Sequence, residues 1–216
     1  ILFNAVGSRL RYTGAGETTD RILDIRSGGI FEHAGSGSLA FTSPTVSTTS
    51  GNKTLVIRNF AAAAGEFRGA VQNGSGTVSL AKEGDGTWSL SASNTFSGTL
   101  SANGGTLLLT GANGAVAASA CTVSNGATLL LSNTAAVNNA NRLANAGSVT
   151  LSGGTFAFIH DAGAADFSET TGALTIGGGS NTVSLTQAAA GHTSALTFAS
   201  LSRTAGTVNF VGAGLG

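Results

Sequence analysis

The sequence predicts an all-β chain wound as a parallel β-helix, a β-solenoid of short strands with Gly and Asn at its corners. Three observations carry that expectation. Gly (33), Thr (28), Ser (25) and Asn (15) together fill 101 of 216 positions, and only 9% of residues are charged. A short apolar-x-apolar unit recurs along the whole chain. Asn103-Gly-Gly-Thr-Leu-Leu-Leu-Thr110 returns 22 residues later as Asn125-Gly-Ala-Thr-Leu-Leu-Leu-Ser132.

The first observation points to strands and turns. There is no methionine, one proline (Pro44) and no amphipathic window with a 3.6-residue period. At 41% hydrophobic content the chain is too apolar for disorder and long enough for a full core.

The second observation places the strands. In order they centre on Leu10/Tyr12, Leu23/Ile25, Leu39/Phe41, Leu55/Ile57, Val78/Leu80, Trp88/Leu90 and Leu107/Leu109, then Leu129/Leu131, Val149/Leu151, Phe156/Phe158, Leu174/Ile176, Val183/Leu185, Leu196/Phe198 and Val208/Phe210. In 11 of the 14 the middle residue is polar, charged or Ala, the period-two pattern of a strand with one buried face. Val56, Leu108 and Leu130 are the exceptions. By alternation Leu108 and Leu130 face outward and stack, which makes them candidates for a lateral contact.

The third observation separates two architectures. Asn73-Gly74, Asn103-Gly104, Asn113-Gly114, Asn125-Gly126 and Asp85-Gly86 fit the hairpins of a β-sandwich. They fit the left-handed corners of a solenoid equally well. Trp88, Leu107, Leu129 and Val149 stand 19, 22 and 20 residues apart, the length of one coil, so the spacing favours a solenoid. About ten coils spaced ~4.8 Å apart then make a rod of nearly 50 Å. The 22-residue echo puts Asn103 over Asn125, with their side chains in a ladder.

Leu80 to Leu109 resembles the autotransporter-associated β-strand repeat, or passenger-associated transport repeat. Its opening is Lys82-Glu-Gly84-Asp-Gly86-Thr87, its strand Trp88-Ser-Leu90-Ser91, its corner Asn94-Thr95-Phe96-Ser97-Gly98 and its close Gly105-Thr106-Leu107. Asp85, Trp88 and Thr99 depart from the usual pattern without breaking the strand alternation. The resemblance is sharpest over 80–109, and looser flanks extend it across residues 1–216 as one solenoid segment of a larger protein. It implies a right-handed β-helix displayed outside the bacterial cell, and no particular activity. The membrane barrel that translocates such proteins is not within these residues.

Ten basic and ten acidic residues cancel, which removes the field needed to collect nucleic acid or anionic lipid. Residues 86–216 hold only Arg142, Arg203, Asp161, Asp166 and Glu169. No run of about 18 apolar residues is present to span a membrane. The absence of an initiator Met and of a signal peptide suggests a processed segment. Cys121 cannot form an intrachain disulfide and reads as a small buried hydrophobe.

Candidate chemistry is sparse. His160, Asp161, Asp166 and Glu169 form the densest group of potential ligands, yet they lack calcium-loop spacing and read as a solvated loop. His33 and His192 read as surface or turn histidines, and Gly14–Glu17 and Gly177–Asn181 as corners. Arg9, Arg11, Arg21, Asp24 and Arg26 read as a solvated face with cross-strand pairs. No catalytic, cofactor or metal residues are assigned. The expected function is a structural or adhesive rod of an extracellular fibre, stalk or surface protein. Its expected partners are its own repeats, end to end and laterally. A carbohydrate-binding or polysaccharide-degrading β-helix is the alternative, with extracellular polysaccharide as partner. The apolar openings "ILFNAV" and "GTVNFVGAGLG" suggest uncapped ends that join further coils.

Overall fold

A computed structural model describes residues 1–60, 62–134, 137–160, 165–187 and 192–212. Among them there is no helix, and every strand pairing is parallel. Two nine-stranded sheets run the length of the molecule. Face one contains Arg9–Tyr12, Gly29–His33, Lys53–Asn59, Val78–Glu83, Thr99–Ala102, Ala120–Ser124, Ser148–Ser152, Phe167–Gly178 and Ser194–Arg203. Face two contains Glu17–Thr19, Leu39–Phe41, Gly65–Phe67, Thr87–Leu90, Thr106–Leu109, Thr128–Asn133, Thr155–His160, Ser180–Gln187 and Thr207–Gly212. The chain alternates between the faces, so neighbours in each sheet come from successive coils. This is a β-solenoid, and antiparallel hairpins are absent from the described residues.

A third, narrower side closes the earlier coils. It is made by Leu2–Phe3 paired with Asp24–Ile25, a bridge from Asp24 to Val46, and Ser93–Asn94 paired with Ala115–Val116. Beyond Leu143 this side merges into face one, where Phe167–Gly178 runs for 12 residues. The first part of that strand pairs with Ser194–Arg203, and Leu174–Gly178 also pairs back to Val149–Ser152.

The inward positions are those that alternation selects. Leu23, Ile25, Leu55, Ile57, Trp88, Leu90, Leu107, Leu109, Leu129, Leu131, Val149, Leu151, Phe156, Phe158, Leu174 and Ile176 all fall in one continuous buried core. Phe31, Phe41, Phe67 and Trp88 meet edge-on or tilted inside it, with ring centroids 5.0 to 5.8 Å apart. Gly65 makes room for this cluster, because a Cβ there would overlap the Trp88 ring. At the two ends burial falls away: Leu10 and Tyr12 are partly covered, and Leu201 and Phe210 are 57% and 49% exposed.

Three expectations change in detail. Each main sheet has nine strands in place of ten coils, which gives a stack of about 40 Å. Coils are not uniform: Thr87, Thr106, Thr128, Thr155 and Thr182 stack in one file at steps of 19, 22, 27 and 27 residues. The step from Leu129 to Val149 is not a coil, since Leu129 stacks on Phe156 and Val149 on Cys121. Asn103 and Asn125 do lie on adjacent coils, but no direct amide ladder forms. Face one pairs Ala102 with Val123, so Ser124 comes level with Asn103 and donates to its Oδ1 at 3.0 Å. Asn125 turns the corner one residue later at φ 55° and donates Nδ2 to Ser124 Oγ.

Candidate functional surface

Each coil must turn sharply at its corners, and several of the described turns point backbone carbonyls into the rod. Buried donors meet them. Lys82 lies inward at the end of its strand, fully buried, and Nζ donates to the carbonyls of Glu83, Gly84 and Gly104 at 2.7 to 3.0 Å. Burial pulls its pKa down to about 8, although Asp85 and Glu83 oppose the shift. Lys53 similarly donates to Thr49, Ser50 and Gly51. His33 Nε2 lies 3.0 Å from Gly37 O and His160 Nε2 lies 2.8 Å from Ala165 O.

Asparagines and one arginine continue the pattern. Asn94 acts as a rung of the third side: Oδ1 accepts from Val71 N while Nδ2 donates to Ala92 O and Ala115 O. Asn181 spans three coils, accepting from Gly153 N and Gly154 N and donating to Gly178 O, Gly179 O and Thr207 O. Arg142 is fully buried and donates to Asn133 Oδ1, Gly114 O and Gly111 O. Burial lowers its pKa to about 10. Glu169 caps the third side where it ends, accepting from Arg142 N at 3.0 Å and Leu143 N at 2.8 Å. Burial raises the carboxyl pKa, and the two N–H donors pull the other way.

These positions correct the solvated-loop expectation. His160 and Glu169 are both fully buried, within Thr155–His160 and Phe167–Gly178. Asp166 is exposed, accepts from Thr193 N at 2.7 Å and sits 3.5 Å from His192. Asp161 lies outside the described residues. The group therefore does not converge, and among the described residues no three His, Cys, Asp or Glu side chains are placed to hold a metal. His33 is likewise buried and not a surface histidine. Sequence reasoning missed these roles because inward alternation does not distinguish a corner cap from a core residue; a polar residue closing an alternating strand was the available signal. Cys121 is 2% exposed, as expected, and burial pushes its thiol up to about 12.

Outside, the two faces carry different chemistries. On the early coils of face one Arg11, Glu32, Arg58 and Glu83 stand in one cross-strand file of alternating sign. Glu32 pairs with both Arg9 and Arg11, and Arg58 with Glu83 at 2.7 Å. Arg26 pairs with Asp24 just past the third-side strand Asp24–Ile25. On face two Leu108 and Leu130 are partly exposed and stack in register, flanked by Ser89 and Ala157. Among the described residues no helix is long and apolar enough to cross a membrane.

Comparison with known proteins agrees with this architecture. Residues 80–109 match the family model described as the passenger-associated-transport-repeat. Over 105 residues, 46% of this chain, the sequence is 36% identical to the Adhesin BmaC autotransporter of Brucella suis biovar 1 (strain 1330). The matched stretch is 3% of that protein's length. No solved structure gives a significant match.

Proposed function

We propose that this chain, an autotransporter-associated repeat protein of the bacterial cell surface, is a non-enzymatic rod segment that spaces and presents an adhesive surface. The observation that carries this reading is the parallel stack of nine strands on each of the two main faces. Such a stack transmits load through backbone hydrogen bonds along its axis, and each coil contacts only its neighbours. The similarity to a protein named as an adhesin supports the adhesive part. The buried donors are occupied with corner carbonyls, which favours scaffold over catalysis.

The rod grows by adding β-solenoid coils at its ends. Leu201 and Phe210 occupy inward registers over Leu174 and Val183, yet remain about half exposed. At the opposite end Leu10, Tyr12, Phe31, Leu39 and Phe41, together with the charged Arg11, Glu17 and Arg21, line a mainly apolar depression of about 190 Å³. A further coil would cover each end and satisfy its strand edge. A weaker lateral contact uses Leu108 and Leu130 against a second copy. Sedimentation across a wide concentration range, with imaging of the same samples, tests the axial contact. End-on particles several rods long are expected, and fewer for Leu201→Ser with Phe210→Ser; strictly single rods in both would sink end-on growth. Unchanged bundling in Leu108→Ser with Leu130→Ser would remove the lateral contact.

A further inference from the structure

Four Asn-Gly pairs stand at corners of the rod, and the fold holds them differently. Asn73 is engaged through its whole amide: Oδ1 accepts from Val78 N at 2.8 Å and Ser97 N at 3.3 Å, and Nδ2 donates to Ser97 Oγ at 2.8 Å. Asn103 Oδ1 accepts from Ser124 Oγ at 3.0 Å. At Asn125 the following N–H is occupied, because Gly126 N donates to Gly153 O at 2.6 Å, and Asn125 Nδ2 donates to Ser124 Oγ at 3.3 Å. Asn113 is exposed, and among the described residues neither its amide nor the Gly114 N–H has a well-formed hydrogen bond.

We infer that the pair Asn113 and Gly114 is a self-modification site, at which the asparagine closes on the next main-chain nitrogen, releases ammonia and takes up water to leave aspartate or isoaspartate. Asparagine is a thermolabile side chain, and water is the only co-reactant needed. Gly114 N gives up its proton to solvent and bonds to Asn113 Cγ, while the Cγ–Nδ2 bond breaks and Nδ2 leaves as ammonia. Water then opens the cyclic imide. Addition at Cγ breaks the new N–Cγ bond and leaves aspartate in an unaltered main chain. Addition at the Asn113 main-chain carbonyl carbon breaks the original peptide bond and routes the chain through Cβ and Cγ, one methylene longer.

The fold itself imposes the reactive pairing. A Cβ on Gly114 would lie 1.8 Å from Thr110 O and 2.7 Å from Leu90 O, so this corner admits only glycine, the neighbour that shields the asparagine carbonyl least. The two products have different consequences here. Gly111 O and Gly114 O accept from Nη2 and Nη1 of the buried Arg142 at 3.1 and 2.7 Å. Ala115–Val116 follows at once and pairs with Ser93–Asn94 on the third side. An extra methylene at position 113 moves Gly114 O relative to Gly111 O and leaves a buried guanidinium N–H without its acceptor. Aspartate keeps both carbonyls in place and adds one negative charge at an exposed position. Isoaspartate therefore loosens the rod at this coil, and aspartate does not.

The experiment keeps the 216-residue chain folded in warm, mildly alkaline buffer. Samples taken over days are digested and read by mass spectrometry, with fragmentation that separates aspartate from isoaspartate. Asn113 is expected to convert at least about tenfold faster than Asn73, Asn103 and Asn125. In urea, where the corner contacts are gone, the four pairs are expected to convert at similar rates. Aged wild type is expected to develop a fraction of lower melting temperature that grows with isoaspartate. Asn113→Asp is expected to melt like fresh wild type, and Asn113→Ser to age without that fraction. Conversion at Asn113 no faster than at the other three pairs in the folded chain overturns the site. The same ranking in urea also overturns it, since local sequence and not the corner would then set the rate. Isoaspartate accumulating with unchanged melting overturns the loosening.

Discussion

Lys82 concentrates the problem that every coil has to solve. A lysine in an apolar core is costly, and this one is retained because three corner carbonyls would otherwise point into that core without donors. The cost appears as a pKa lowered to about 8 from 10.5. Between those values the folded protein releases a proton that the unfolded chain keeps, so stability rises with pH across that window. Melting temperature followed from about pH 7.5 to 10.5 is expected to climb in wild type relative to Lys82→Met, where the added slope disappears. Identical slopes would mean that Lys82 is solvated in the fold.

At the level of elements, the weak point is where the third side stops. The N–H groups of Arg142 and Leu143 have no further strand to pair with, and the two carboxylate oxygens of Glu169 replace it. Glu169→Ala leaves both donors buried and unpaired at ~1–3 kcal/mol each. Urea unfolding is expected to shift to a lower midpoint, with Glu169→Gln retaining part of the loss through its remaining amide oxygen. An unchanged midpoint in Glu169→Ala would show that water reaches these groups. Asn94 and Asn181 solve the same edge problem with amides, which both donate and accept and therefore suit positions between coils.

Across the whole molecule the stack is quasi-one-dimensional, so protection should follow position along the axis more than sequence composition. Hydrogen exchange on the 216-residue chain is expected to be slowest in Thr106–Leu109 and Thr128–Asn133, near the middle of the stack. It is expected to be fastest in Ser194–Arg203 and Thr207–Gly212, whose inward residues are the least covered. Uniform exchange along the rod would indicate a single all-or-none unit, contrary to a nearest-neighbour stack.

Much of this architecture is determined by the sequence alone. Period-two alternation in units such as Leu107/Leu109 and Phe156/Phe158 assigns inward and outward faces locally, and the echo of Asn103–Thr110 in Asn125–Ser132 reveals stacking because equivalent places on successive coils meet equivalent neighbours. The 80–109 repeat carried the family resemblance for the same reason. Coil length was not legible: residues added between strands alter the spacing without altering the stack, so Leu129 meets Phe156 and not Val149. Nor was the inward role of His33, Lys82, Arg142, His160 and Glu169, because a charged or polar residue reads as solvated until the carbonyls and N–H groups it must satisfy are in place. The four Asn-Gly pairs read alike in sequence, and only the assembled corners engage Asn73, Asn103 and Gly126 while leaving Asn113 unheld. Alternation is a property of neighbouring residues, whereas register is a property of the assembled sheet.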